Sequence, residues 1–109
     1  MNFTGRWYIA KMEIWDEDYY NMEVKAYIKI DEEGLGEFQF GLIRGFLDGK
    51  IVDYRDENKF EFSWTGRDEN EEVNGSGWLK FPKGHEDTVN GEFRFYQGDD
   101  STFEAVRAI

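Results

Sequence analysis

The chain has no cysteine, one proline, one histidine and no long apolar run in its 109 residues. Each scarcity removes a class of protein. Without cysteine there are no disulfides, zinc–thiolate sites, iron–sulfur clusters or thiol nucleophiles. No segment approaches the ~18 consecutive apolar residues of a membrane span. Met1-Asn2-Phe3-Thr4-Gly5-Arg6-Trp7 carries no apolar core of the signal-peptide kind. The expected location is therefore the cytoplasm. An excess of positive charge is also missing: Asp and Glu number 24 against 13 Lys and Arg, a net charge of −11. Duplex nucleic acid gives affinity by releasing cations from phosphates, so nucleic acid is not an expected partner. Anionic membrane surfaces are not expected either, on the same ground. The acid suits solubility, or an acidic docking face for a basic partner.

What the chain has in plenty is aromatic side chains: 10 Phe, 6 Tyr and 4 Trp, or 18% of the residues. The length fits one domain, residues 1–109, which at this size buries roughly 65% of the surface its unfolded chain exposes. There is no internal repeat, low-complexity tract or linker.

Period-two alternation dominates. It runs through Glu23-Val24-Lys25-Ala26-Tyr27-Ile28-Lys29-Ile30, Glu37-Phe38-Gln39-Phe40, Lys59-Phe60-Glu61-Phe62-Ser63-Trp64-Thr65 and Thr88-Val89-Asn90-Gly91-Glu92-Phe93-Arg94-Phe95. Strands with one wet and one buried face belong to antiparallel sheets. Turn signals separate them at Asp31-Glu32-Glu33-Gly34, Arg55-Asp56-Glu57-Asn58, 66–72, 82–87 and 97–100. Asp48-Gly49 is the strongest, since Asp-Gly suits a two-residue type I′ hairpin. The spacing predicts eight strands near 5–14, 23–30, 35–47, 50–55, 59–65, 75–81, 88–96 and 101–108. Closing such a meander removes the unpaired edges. The expected fold is all-β: an eight-stranded antiparallel up-and-down barrel with one short helix between strands 1 and 2. The third strand carries Gly41 and Gly45, and strand glycines mark bulges or bends. A bulge there reverses the phase, which leaves open whether Ile43 or Arg44 points inward. Asp16 can cap the short helix, with Glu17 and Asp18 in its first turn. Trp15 and Tyr20 would then form a hydrophobic staple. A helix of about two turns needs packing to persist, so it is expected across one end of the barrel.

Phe3-Thr4-Gly5-Arg6-Trp7-Tyr8 resembles the G-x-W motif that opens the first strand of lipocalins and their calycin relatives. The resemblance implies a calycin-like barrel with Trp7 packed at the closed base. It also implies an arginine from the last strand lying across the indole and bonding back to the chain, a position that Arg107 matches. Guanidinium stacks well on indole, and its donors can serve carbonyls at the base. Gly5, Trp7 and Arg107 are thus the expected base latch. The likeness covers the two ends of the chain. The lack of cysteine and the shorter strands depart from the family pattern and bear on its carrier role. Trp15-Asp16-Glu17-Asp18-Tyr19-Tyr20 and Gly75-Ser76-Gly77-Trp78 are also similar to segments of short uncharacterised prokaryotic proteins.

Chemistry-bearing patterns are sparse. His85 lies in a turn with carboxylates as its nearest company. Asp16, Glu17 and Asp18 lack the alternating ligand spacing of a calcium loop. Glu69, Glu71 and Glu72 read as a solvated loop. No metal and no cofactor is assigned. Gly75-Ser76-Gly77 precedes a strand, so it is neither a nucleophile elbow nor a phosphate loop. Some calycin-like barrels, such as phenolic acid decarboxylases, use Tyr, Arg and Glu in the cavity, and by analogy Tyr54 and Arg44 are the candidates in type. No catalytic residue is assigned.

The aromatic interior is the main lead. Phe38, Phe40, Phe60, Phe62, Trp64, Phe93, Phe95 and Phe103 share inward parity. With Arg44 and Tyr54 they form the candidate ligand-binding set. The leading expectation is a small apolar or aromatic ligand bound inside the barrel. The alternatives are a filled-barrel structural or protein-interaction module with an acidic surface, and a small barrel enzyme. The expected partner is a small apolar ligand, and the chain is read as a monomer or homodimer.

Overall fold

Alternating sequences of this kind bury every second side chain, and a sheet that curls on itself buries them all in one lumen. The computed structural model describes residues 2–54 and 57–108, Tyr54 by its backbone alone. Its elements are β1 (Gly5–Met12), α1 (Glu17–Tyr20), β2 (Tyr27–Ile30), β3 (Leu35–Phe40), β4 (Ile43–Tyr54), β5 (Glu57–Asp68), β6 (Glu71–Lys80), β7 (Thr88–Phe95) and β8 (Asp100–Arg107). Each strand pairs antiparallel with the next, and β8 returns to β1 through Trp7↔Arg107 and Tyr8↔Val106. The barrel is closed and eight-stranded, with one short helix between β1 and β2. Among the described residues no helix is long and apolar enough to cross a membrane.

The number of strands agrees with the alternation, but two boundaries differ, and they compensate. The long third strand divides at Gly41-Leu42, so β3 ends at Phe40 and β4 begins at Ile43. Gly41 has a φ of +60°, and the Tyr19 ring occupies the space its side chain would need. Only glycine combines that conformation with that approach. Conversely, Asp48-Gly49 is not a turn. It lies inside β4, opposite Ser63 and Phe62 of β5. A Cβ on Gly49 would stand 2.5 Å from Cζ of Phe60 and 2.7 Å from the Glu61 carbonyl oxygen. The residue is a seat for a ring, and that packing overrides its local turn preference. The turn expected over 66–72 contracts to Glu69-Asn70, with Glu69 at a φ of +56° and Asp68 paired to Glu71. Part of the turn expected at 55–58 lies outside the described residues.

Other shifts are smaller. A bulge in β1 between Ile9 and Lys11 moves Met12 to the inside. β2 starts at Tyr27 instead of 23, because the Asn21 side chain accepts from the Ala26 N–H at 2.8 Å and holds the preceding loop off the sheet. α1 is a single turn. The Asp16 carboxylate accepts from the Tyr19 N–H at 3.1 Å, as an N-cap should. The ring that meets Trp15 is Tyr19, at 6.1 Å between centroids, and not Tyr20. Tyr20 turns into the core and donates its hydroxyl to the Ala10 carbonyl at 3.0 Å.

Candidate functional site

The lumen is the first place to look, because alternation aims the largest side chains there. Phe38, Phe40, Phe60, Phe62, Trp64, Phe93 and Phe103 are all buried inside, and Phe95 is half-buried at the helix-capped end. Phe93 stands at the centre with no exposed surface. Its ring centroid is 4.8 Å from Phe38, 4.9 Å from Phe40, 4.9 Å from Phe103, 6.0 Å from Phe62 and 6.5 Å from Trp64. These separations are those of rings in direct contact. The rings run without a break from one end to the other. Trp15 touches Phe40 and Phe95 beneath α1, and Phe60 touches Phe3, which stacks on Phe81 at 4.6 Å at the opposite end.

Strand glycines make room for this filling. A Cβ at Gly45 would press on Phe38, at Gly77 on Phe62, at Gly91 on Phe103 and at Gly49 on Phe60. Large and small residues thus alternate across the lumen, as a small barrel requires. The lumen is also satisfied in its polar groups. The Trp64 indole donates to the Ser76 carbonyl at 3.1 Å and the Trp7 indole to the Phe3 carbonyl at 2.9 Å. Among the described residues no buried side-chain nitrogen or oxygen lacks a partner.

Of the two polar members of the candidate set, Arg44 does not join these rings. Arg44 is exposed on the outer wall, and Ile43 takes the inward position. The reason is the Gly41-Leu42 turn, which resets the phase so that 43, 45 and 47 face in. This corrects the placement of Arg44 as a lumen ligand. Tyr54 pairs with Glu57 through its backbone, and its side chain lies outside the described residues.

The base is held by one arginine. Arg107 lies over Trp7 with its guanidinium carbon 4.2 Å from the ring centroid. Its Nη1 donates to the Thr4 carbonyl at 3.1 Å, and its Nη2 to the carbonyls of Asn2 at 2.9 Å and Glu86 at 3.2 Å. The Asp87 carboxylate is 3.7 Å from Nε. Gly5, at a φ of +124°, leads the chain past that guanidinium. One side chain thereby ties the N-terminal strap and the β6–β7 loop to β8. Arg107→Ala removes three hydrogen bonds, leaves the part-buried Thr4 carbonyl without its donor and uncovers the indole, and is expected to cost about 2 kcal/mol. A urea midpoint shift worth less than about 0.5 kcal/mol would show the latch to be idle.

At the helix end, Tyr19 bridges α1 to the β3–β4 turn, accepting from the Leu42 N–H at 3.3 Å. Burial pushes its phenol above the ordinary 10.0, the Leu42 bond pulls it down, and Asp68 and Glu69 push it further up. Burial also raises Tyr20 and Tyr27. A phenol whose folded pKa exceeds the unfolded value holds its proton more tightly in the native state. Its contribution is complete below pH 10 and is lost as the pH rises through the folded pKa. Stability is therefore expected to fall above about pH 10, with a shallower fall in Tyr19→Phe. Urea midpoints measured across the alkaline range test this, and identical slopes in the two proteins would contradict it.

Four clefts lined by described residues lie on the outer wall and the base rim. One of about 580 Å³ runs past Lys50, Glu61, Trp78 and Arg94. Another of about 650 Å³ runs past Lys11, Trp78, Lys80 and Glu104. A third, about 680 Å³, crosses β2 to β6 and is lined by Tyr27, Gln39, Arg44, Phe46, Thr65 and Arg67 among others. A smaller one, about 230 Å³, sits between the N-terminal strap and the β2–β3 turn. Phe46 is 69% exposed in the third cleft. Alternation alone does not single out Phe46. Its signal was parity with Arg44, legible only once the turn before Ile43 is known. Among the described residues no cluster of His, Asp and Glu is arranged to hold a metal ion. No family model, curated protein or solved structure matches the chain.

Proposed function

We propose that this protein is a binding or interaction module built on a solid barrel, whose partner meets the outer wall and does not enter the lumen. The observation that carries the reading is the ring column through Phe93, fully buried and touching Phe38, Phe40, Phe62, Trp64 and Phe103. A carrier needs a void, and an eight-stranded barrel is just wide enough for side chains to fill. Here both ends are plugged as well, by Trp15 under α1 and by the Phe3–Phe81 stack. Among the described residues, with both indoles satisfied, no buried side-chain donor awaits a ligand in the lumen. The lipocalin-like latch of Trp7 and Arg107 then serves to stiffen the scaffold, without the carrier role. A chain free of cysteine with a net charge of −11 suits a reducing, crowded cytoplasm.

The experiment is a thermal-shift series with apolar probes of graded size, from benzene to a medium-chain fatty acid. A solid barrel gives no saturable rise in melting temperature with any of them. A saturable rise with one probe would restore the lumen as the binding site.

A further inference from the structure

In a protein this acidic, cations that face each other need an explanation. Directly opposed like charges on a sheet destabilise it. The outer wall has three such pairs among the described residues: Arg6↔Lys29, Lys59↔Lys80 and Arg44↔Arg67. Two of them are eased by aromatic rings. Arg6 lies 4.5 Å from the Tyr27 ring centroid, and Lys59 and Lys80 lie 4.6 and 5.9 Å from the Trp78 ring. The third is not. Arg67 reaches the Asn70 carbonyl at 3.4 Å and Glu72 at 4.0 Å, a loose pair exposed to water. Arg44 makes no hydrogen bond or ion pair among the described residues.

These two arginines share a wall of the third cleft with an exposed phenyl. In the register, Tyr27, Gln39, Arg44, Arg67 and Glu72 form one row across β2 to β6, and Glu37, Phe46, Thr65 and Asn74 form the next. Phe46, two residues from Arg44 on the same strand, stands on the same face. The floor is the Gly45↔Gly66 pair, where the backbones approach too closely for a side chain on Gly66. A volume of about 680 Å³ is that of a small-molecule site.

We infer that the Arg44–Phe46–Arg67 cleft binds a small planar aromatic anion, a ring bearing a phosphate or a carboxylate. The inference rests on the outer-wall reading above. Guanidinium forks match both anions in bidentate geometry. The anion neutralises the opposed charges of Arg44 and Arg67, and the ring covers Phe46. Gln39 and Thr65 supply neutral hydrogen bonds at the rim. A cation pair relieved only by the loose, exposed Arg67–Glu72 contact is then a cost in the free protein that the ligand reduces.

The test is an NMR titration of the whole chain, reading the Arg Nε–Hε and Phe ring signals together with the Leu79 and Val89 methyls in the lumen. The probes are AMP, indole-3-acetate, adenosine and inorganic phosphate, to millimolar concentration. Saturable shifts at Arg44 and Phe46 with AMP mark the phosphate source, and with indole-3-acetate the carboxylate source. Either supports the site. Arg44→Gln is expected to weaken that binding about tenfold while leaving or raising the melting temperature without ligand. Phe46→Ala is expected to weaken the aromatic anion and leave inorganic phosphate unchanged. Three results would overturn the site. The first is no shift on this wall with either aromatic anion. The second is equal binding of phosphate and AMP that ignores Phe46→Ala. The third is a lower melting temperature for Arg44→Gln, which would make Arg44 structural. Shifts confined to Leu79 and Val89 would instead overturn the solid-barrel reading itself, so the two failures are told apart.

Discussion

Phe93→Ala is expected to lower the stability of the barrel by about 4 kcal/mol. Truncation removes the ring that Phe38, Phe40, Phe62, Trp64 and Phe103 all touch, and the strands around it are tied into a closed ladder that cannot collapse inward. The lost transfer energy is joined by the energy of an unfilled cavity. For a domain whose whole stability is about 5–15 kcal/mol, that is a large share. Urea unfolding followed by tryptophan fluorescence measures it. A loss below about 1 kcal/mol would mean that the rings pack loosely and that the lumen is not solid. The same variant has a second use. An apolar void cut into a solid barrel should take up benzene, so Phe93→Ala should gain a thermal shift that the unmodified protein lacks.

The second large effect runs the other way, by adding a methyl group. Gly49→Ala puts a Cβ against Cζ of Phe60 and the Glu61 carbonyl, and is expected to cost about 2–3 kcal/mol. Were Gly49 a turn glycine with space around it, its cost would come from backbone conformation alone and would not depend on Phe60. A double-mutant cycle separates the two. In a Phe60→Leu background, the shorter side chain gives way, and the cost of Gly49→Ala is expected to fall by about half. The contact with the Glu61 carbonyl sets the remainder. A cost that is the same in both backgrounds would remove Phe60 from the explanation.

Gly49 also marks the limit of what the sequence discloses. Period two was legible because each strand has one wet and one buried face, and burial alone enforces that alternation. The strand count, the meander and the closed barrel follow from it. A glycine, however, has two readings with one spelling. At Gly41 it takes a positive φ beneath Tyr19 and ends β3, whereas at Gly49 it stays extended and receives Phe60. Local preference favoured a turn at Asp48-Gly49, and long-range packing decided otherwise. The phase of everything between those glycines depended on that choice. Ile43, Gly45 and Leu47 therefore face in, and Arg44 and Phe46 face out. The lumen rings on the regular strands were legible one by one, from Phe60, Phe62 and Trp64 to Phe93 and Phe103. The outer cleft was not, because it is assembled from β2 to β6 and needs a register that no single strand carries.

The account rests on a lumen filled by its own side chains, with recognition displaced to the outer wall. The most direct measurement is methyl-detected NMR of Ile28, Ile43, Leu79 and Val89, which line the lumen and are fully or almost fully buried, during titration with benzene. A solid barrel leaves these signals where they are while surface methyls drift weakly and without saturation. Saturable shifts of the Leu79 and Val89 methyls would mean that the barrel has room for a guest, and would contradict the account.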